Sequence, residues 1–202
     1  MFDPVTRIDS RAVPLPIANI DTDIIIRIER LTGPDRDQVG PWAFESLRYD
    51  DAGQPRPDFP MNDPRWQGAE IMVAGENFGC GSSREAAVTA ILQAGLRCVI
   101  AESFGDIFYA NCFQNGLLPI RLERADVAAL MDAARRQERI AVDLEAQSIS
   151  AGTRTWRFDI DPTRRTALLE GLDDMGLTMK SIGEIEAWQA QDRKDRPWIW
   201  NL

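Results

Sequence analysis

Between Glu70 and Leu122 the chain repeats one pattern: a short apolar run, a turn bearing glycine, then a stretch of helical period. The apolar runs are EIMVAG, RCVIA and LLPIRL. Runs this short, bounded by turn signals, read as strands buried on both faces. Strands separated by helical stretches are expected to lie side by side with helices across their faces, because each connection must cross the sheet before the next strand begins. The first connection, ENFGCGSSREAAVTAILQAG, predicts a helix from about Ser83 to Gln93 with Gly95 as its C-cap. The second, ESFGDIFYANCFQNG, reads as a turn plus a short helix. This alternation constrains the fold class to α/β.

The flanks are read the same way. A strand is expected around Val5 to Pro14, and the β-branched run Ile24 to Ile28 within NIDTDIIIRIERLTG is strand-like. Gly33 to Gln67 is rich in Pro, Asp, Gly and Arg and reads as a long irregular segment, with a short helix near Pro41 to Leu47. Arg124 to Arg136 has helical periodicity, RIAVDLEAQSISAGTRTWRFDID alternates as a hairpin turning near Ala151-Gly152, and Asp161-Pro162 caps a helix through Leu169. A last helix is expected from about Ser181 to Arg193, before RPWIWNL. The tryptophans of that tail either form a partner surface or fold back on the core. The expectation is one domain over residues 1–202, a mixed sheet with helices packed around it. It includes an irregular segment at about 32–68 and a helical tail at about 181–202.

Composition narrows the function. No apolar run approaches the ~18 residues that span a bilayer, and MFDPVTRIDSRAVPLP lacks the basic start and apolar core of a secretion signal. A cytoplasmic location is expected. Lys and Arg total 23 against 32 Asp and Glu, a net charge of −9, which argues against a basic nucleic-acid-binding face. Any anionic ligand would then need a local cationic pocket. Histidine is absent, so Ser-His-Asp and Cys-His catalysis and histidine metal sites are excluded within the chain. Cys80, Cys98 and Cys112 are odd in number and widely spaced, giving neither a disulfide framework nor a zinc signature.

The candidate chemistry gathers in GCGSSRE, Gly79 to Glu85. A strand, a glycine-rich loop and a helix N-terminus make a general anion site, because backbone N–H groups point outward and the helix dipole is positive there. Gly79 and Gly81 would let a ligand approach the main chain. The spacing fits neither a phosphate-binding P-loop nor a dinucleotide fingerprint. A capping box of Ser82 with Glu85 accounts for part of the motif without any ligand. It does not account for Arg84, a cation in the expected first turn, where the dipole opposes it by a few tenths to ~1 kcal/mol. A bound carboxylate would offset that cost, since Arg offers it a bidentate fork. In NIDTD, Asp21 and Asp23 make either an Asx turn leading into a strand or a charge-balancing carboxylate for the arginine loop. Glu102, Ser103 and Asp106 follow the second strand at the edge where α/β sites gather. Asn111 and Asn115 read as turn residues, and Lys180 as a solvated cation.

Taken together, NIDTDII, GENFGCGSSREAA, VIAESFGDIFYANCFQNGLLPI and DLEAQSI resemble the small-subunit family of 3-isopropylmalate dehydratase, which is similar to the swivelling domain of aconitase. The resemblance runs in order from Asn19 to about Leu177. It implies a swivelling β/β/α domain like the aconitase C-terminal domain. It also implies a hydro-lyase that interconverts 2- and 3-isopropylmalate in leucine biosynthesis and is active only with a large subunit, as heterodimer or heterotetramer. Carried over by position, Ser82 is the alkoxide base, Ser83 a hydrogen-bonding partner of substrate, Arg84 the carboxylate clamp, and Asp23 a member of the same site. Asp21, Thr22, Arg27, Arg30, Gly79, Cys80 and Gly81 are the expected substrate-binding surround. No cofactor or metal is expected on this chain; the family's [4Fe-4S] cluster sits on the large subunit. The substrate implied is a small 2-hydroxy diacid, with no nucleic acid and no membrane. Two departures stand out: IIIRIER after the aspartates, and Ala86-Ala87-Val88 where the family commonly has His-Ala-Pro. A paralogue acting on another alkylmalate or a homoaconitate-like acid stays open, as does a non-catalytic anion-binding module.

Overall fold

The computed structural model describes residues 1–33 and 37–200. Residues 34–36 of the expected irregular segment and 201–202 of the expected tail lie outside the described residues. Among the described residues eight strands form two four-stranded sheets instead of one mixed sheet. The parallel sheet runs β2 (Ala12–Leu15), β3 (Ile71–Ala74), β4 (Cys98–Ala101), β5 (Leu118–Arg121), the last three being the apolar runs read from sequence. The antiparallel sheet runs β1 (Arg7–Ser10), β6 (Ile140–Asp143), β7 (Ser148–Ala151), β8 (Arg154–Arg157). The single strand expected over Val5 to Pro14 breaks at Arg11, sending β1 to one sheet and β2 to the other. Arg11 marks the break by donating to the carbonyls of Arg65 (2.6 Å) and Gln67 (3.4 Å). No glycine or proline signals it, because the cause is tertiary.

Strands β2, β3 and β4 are buried throughout, so their alternating side chains feed two cores. Ala12, Ile71, Val73, Cys98, Ile100 and Ile120 enter the first. There they meet Val127, Leu130 and Met131 of a helix (Arg124–Arg135) and the inward residues Ile140, Val142, Ile149 and Trp156 of the antiparallel sheet. Val13, Leu15, Met72, Ala74 and Val99 enter the second core with Ala87, Val88 and Ile91 of another helix (Glu85–Gln93). Four phenylalanines, Phe44, Phe78, Phe104 and Phe108, join them. Each fully buried Val, Leu, Ile or Phe contributes roughly 1.5–3 kcal/mol against exposure.

In chain order the helices are α1 (Thr22–Ile25), α2 (Ile28–Thr32), α3 (Glu45–Arg48), α4 (Glu85–Gln93), α5 (Asp106–Asn115), α6 (Arg124–Arg135) and α7 (Pro162–Glu170). After them come α8 (Asp174–Met179), α9 (Ile182–Asp195) and α10 (Pro197–Trp200). The strand-like reading of Ile24 to Ile28 is therefore corrected: two helical turns flank an extended Ile26-Arg27. Asp21 decides it. Its carboxylate accepts the Ile24 N–H at 2.7 Å as a helix N-cap. Full burial of Ile25 then outweighs its β-propensity, while Ile26 stays extended and buried. The expected helix near Pro41 to Leu47 becomes a 3-10 turn (Gly40–Trp42) followed by α3. The expected hairpin is a three-stranded meander, β6 to β8, turning at Gly152 with φ +56°. Asp161 caps α7 by accepting from the N–H groups of Thr163 and Arg164, both at 3.0 Å. The tail folds back on α9, where Asp192 accepts from Arg196 Nε (2.6 Å) and Trp200 Nε1 (2.9 Å), while Trp198 stays exposed.

Candidate active site at the edge of the parallel sheet

The segments that follow β2, β3 and β4 emerge together at the C-terminal edge of the parallel sheet, where ligands bind in α/β folds. Two isolated parallel bridges, Asp21 with Cys80 and Phe78 with Phe104, extend the pairing past the strand ends. Gly79 N–H donates to the Ile20 carbonyl (2.7 Å) and Thr22 N–H to the Cys80 carbonyl (3.0 Å). The Thr22 hydroxyl donates to the Ser82 carbonyl (3.1 Å). NIDTD and GCGSS are thus stitched side by side, main chain to main chain. Gly79 has φ +70°, and a Cβ there would lie 2.2 Å from the Phe108 ring. Its glycine is required by the turn and by Phe108. Gly81, at φ +91°, has its nearest neighbour, Asp21 Cβ, 3.4 Å from the Cβ it would carry.

The cation expected in the first turn of a helix is not in it. Helix α4 starts at Glu85, and Arg84 is its N-cap residue, extended at φ −137° and ψ 101° with no side-chain cap bond. From there the guanidinium turns away from α4. Its Nη1 donates to Asp23 Oδ1 and to the carbonyl of Ile26 at 3.2 Å. It therefore meets the carbonyl end of α1 instead of the positive end of α4, and the dipole objection disappears. The Ser82–Glu85 capping box does not form: Glu85 accepts from Asn115 Nδ2 at 3.1 Å, and Ser82 and Ser83 are both exposed on the loop. Two serine hydroxyls and an anchored arginine side chain, only 17% exposed, now share one loop.

The other candidates divide sharply. Asp21 is the α1 cap and Thr22 is buried, so both side chains are already engaged in building the loop. Arg30 grips Glu45 through Nε (3.0 Å) and Nη2 and stacks 3.5 Å over the Trp42 ring. The Arg30 hydrogen bond holds the Glu45 carboxyl below the usual glutamate range, against burial, which raises it, and with help from the charges of Arg30 and Arg27. Arg27 is exposed, its Nε 3.6 Å from Glu29. Both arginines line a cavity of about 740 Å³ with Trp42, Glu45, Tyr49 and Arg56. Cys80 is half-buried in the loop. Cys98 and Cys112 are fully buried, and desolvation pushes both thiols well up. Glu102 is bound by Arg124 Nε at 2.9 Å, Ser103 Oγ accepts the Asn77 N–H at 2.8 Å, and Asp106 is exposed beside Ile107. Asn115 also donates to the Asn111 carbonyl (3.0 Å), and Lys180 pairs with Glu170 (2.7 Å). Sequence reasoning missed the Ile26 carbonyl, the second anchor of Arg84; a backbone acceptor leaves no residue-type signal.

This fold and this loop define an aconitase-type C-terminal unit: a family model described as the aconitase C-terminal domain matches residues 3–125. A second model, described as LeuD_N, matches residues 128–162. The chain is 46% identical over 200 residues to the 3-isopropylmalate dehydratase small subunit of Phenylobacterium zucineum (strain HLK1), covering 98% of each chain. It is 48% identical over 201 residues to that of Parvibaculum lavamentivorans (strain DS-1), covering 98% of this chain and 100% of the relative. A crystal structure of 3-isopropylmalate dehydratase (leuD) from Methanocaldococcus jannaschii DSM2661 superposes with a TM-score of 0.66 at 28% identity. It covers 90% of this chain and 99% of that one. The chain belongs to the 3-isopropylmalate dehydratase small-subunit family.

Proposed function

We propose that this chain is the small subunit of a hydro-lyase that interconverts 2- and 3-isopropylmalate in the cytoplasm, and that Ser82, Ser83 and Arg84 are its contribution to the active site. One observation carries the reading: two exposed serines directly precede, on one loop, an arginine whose guanidinium is anchored to Asp23 and the Ile26 carbonyl. Dehydrating a 2-hydroxy diacid requires a base at carbon, a clamp for a carboxylate, and an acid for the departing hydroxyl. Ser82 takes the carbon proton as its alkoxide, Ser83 donates a hydrogen bond to the substrate, and Arg84 pairs with a carboxylate. Serine is a weak base at its ordinary pKa, so the Arg84 charge and the N-terminal end of α4 must stabilise the alkoxide.

The remaining chemistry falls to the partner. An iron–sulfur cluster would polarise the departing hydroxyl as a Lewis acid, but this chain's cysteines do not suit one. Cys98 and Cys112 lie in the two cores with thiols held protonated. Among the described residues no group of three or more His, Cys, Asp or Glu side chains is placed to hold a metal. On this reading the cluster and any histidine acid belong to the large subunit. No helix among the described residues is long and apolar enough to cross a membrane.

The test is reconstitution with a cluster-bearing large subunit, following alkene formation by ultraviolet absorbance and proton exchange at the substrate carbon. Ser82→Ala should lower exchange on the order of 10²–10⁴-fold while association with the large subunit is unchanged. Retained exchange would remove Ser82 as the base. Small-anion binding by the chain alone, with no active mixture, would favour the non-catalytic module.

A further inference from the structure

The geometry points to Asp23 as a positioning residue: with the Ile26 carbonyl it occupies Nη1 of Arg84 and aims the opposite Nε–Nη2 edge of the guanidinium at the substrate carboxylate. This inference rests on the function proposed above and deepens it. A guanidinium carries five N–H donors in one plane, and two edges of it can receive a carboxylate side-on or end-on. Elsewhere in this chain the arginines that chelate carboxylates present Nε and Nη2. Arg30 does so to Glu45, Arg65 to the single oxygen Oδ2 of Asp63, and Arg124 to Glu102. Arg84 differs. Its hydrogen bonds among the described residues, to Asp23 and to the Ile26 carbonyl, both leave from Nη1.

Those two acceptors use both protons of Nη1, so that nitrogen has nothing left to offer a ligand. Among the described residues Nε and Nη2 have no hydrogen-bond partner, yet they are not sealed in. Among the described residues the one buried side-chain nitrogen or oxygen without a partner is Nε of Arg165. The free edge of Arg84 therefore reaches solvent although the side chain as a whole is only 17% exposed. Such a group has been fixed by one edge and left open at the other, which is the arrangement that pre-orients a bidentate clamp.

Asp23 is itself held in place for the task. It lies in the first turn of α1, whose cap is Asp21 and whose Thr22 is bonded to the carbonyls of Cys80 and Ser82. The aspartate and the arginine are thus carried by two segments stitched to each other, and Ile26, whose carbonyl holds Arg84, closes the same helix by donating its N–H to the Thr22 carbonyl at 2.9 Å. Oδ1 of Asp23 is committed to Arg84, and the proposed role of the aspartate is the one exerted through the arginine.

The closing experiment separates aiming from chemistry. In the reconstituted enzyme, Asp23→Ala should raise KM for the diacid roughly ten- to a hundredfold, the worth of a hydrogen bond to a charged group. Asp23→Asn, which keeps an acceptor oxygen on Nη1, should recover most of that loss. A wild-type KM for Asp23→Ala, or equal losses for both variants confined to kcat, would overturn the assignment. A second readout needs no activity: nitrogen-15 relaxation at the Arg84 Nε–H of the chain alone. Asp23→Ala should make Arg84 Nε more mobile and leave Arg30 Nε unchanged; unaltered order at Arg84 would refute the inference whatever reaction is catalysed. An inactive wild-type mixture would instead refute the proposed function and leave the relaxation result standing.

Discussion

The two cores on either side of the parallel sheet are built differently. The first is regular: it packs α6 and the antiparallel sheet against one face, with side chains alternating in and out of β6 and β7. The second is closed on its outer side by short pieces: α1, a 3-10 turn, α3 and the loops that carry Phe59, Phe78 and Phe104. There, aromatic contacts replace ladders. Phe78 packs edge-on against Phe104 (centroids 6.2 Å) and Phe108 (5.5 Å), and Phe44 joins at 6.4 Å. The segments that carry the candidate site run between residues of this second core, Ile25 and Ile26 after Asp23, and Phe78 and Ala87 on either side of the Gly79 to Arg84 loop. The difference teaches that the first face serves packing alone, whereas the second both packs and carries the loops of the candidate site.

The largest effect should follow from truncating the ring beneath the loop. Phe78 is fully buried, its N–H donates to the Ser103 carbonyl (3.0 Å), and its carbonyl accepts the Gly105 N–H (2.9 Å). Phe78→Ala should cost about 3–5 kcal/mol of stability, and the molecules that remain folded should also lose activity, since Gly79 to Arg84 begin at its carbonyl. Urea unfolding and turnover per folded molecule measure the two losses; normal turnover would separate the aromatic cluster from the site. Ile149→Ala is the counterpart in the first core. Ile149 is fully buried on β7 between Val142 and Trp156. The cost should be about 2–5 kcal/mol, with turnover per folded molecule unchanged. A loss of turnover there would break the division between the two faces.

The same division governs what could be read from sequence. Elements of the first core were legible because their signals are local: α6 from Val127, Leu130, Met131 and Ala134, α7 from Asp161-Pro162, and the β7–β8 turn of the meander from alternation and Gly152, though not its division into three strands. Three of the four parallel strands, β3, β4 and β5, were legible as unbroken apolar runs. Ile24 to Ile28 was misread because its conformation is set by the Asp21 cap and by burial against rings distant in sequence. In the candidate site, residue types pointed to Arg84 and to Asp21 or Asp23, while Ser83 and the roles of Ser82, Ser83, Arg84 and Asp23 came only with the family resemblance. The capping box was written in the sequence and not used, since Arg84 takes the cap position and Glu85 turns to Asn115. The two-sheet split at Arg11 and the Ile26 carbonyl had no signal in residue type at all.

The smallest effect concerns the outer rim of the second core, where α2 is tied to α3. Glu45 is mostly buried, Arg30 about one-third exposed, and the pair is backed by Trp42. Because the Arg30 hydrogen bond lowers the Glu45 pKa from its ordinary value of 4.5, the carboxylate binds its proton less readily folded than unfolded. The stabilisation is therefore fully present above about pH 4.5 and is lost as the pH falls through the lower folded-state value. Glu45→Gln removes the charge and keeps the shape. It should cost about 0.5–1 kcal/mol at pH 7, a figure discounted for solvent screening of the exposed guanidinium. The gap between variant and wild type should close as urea midpoints are followed from pH 7 towards pH 3. A gap independent of pH would mean that the rim is held by Arg30 stacking on Trp42 alone. In that case the site-bearing core would owe its outer edge, like its centre, to aromatic packing and not to charge.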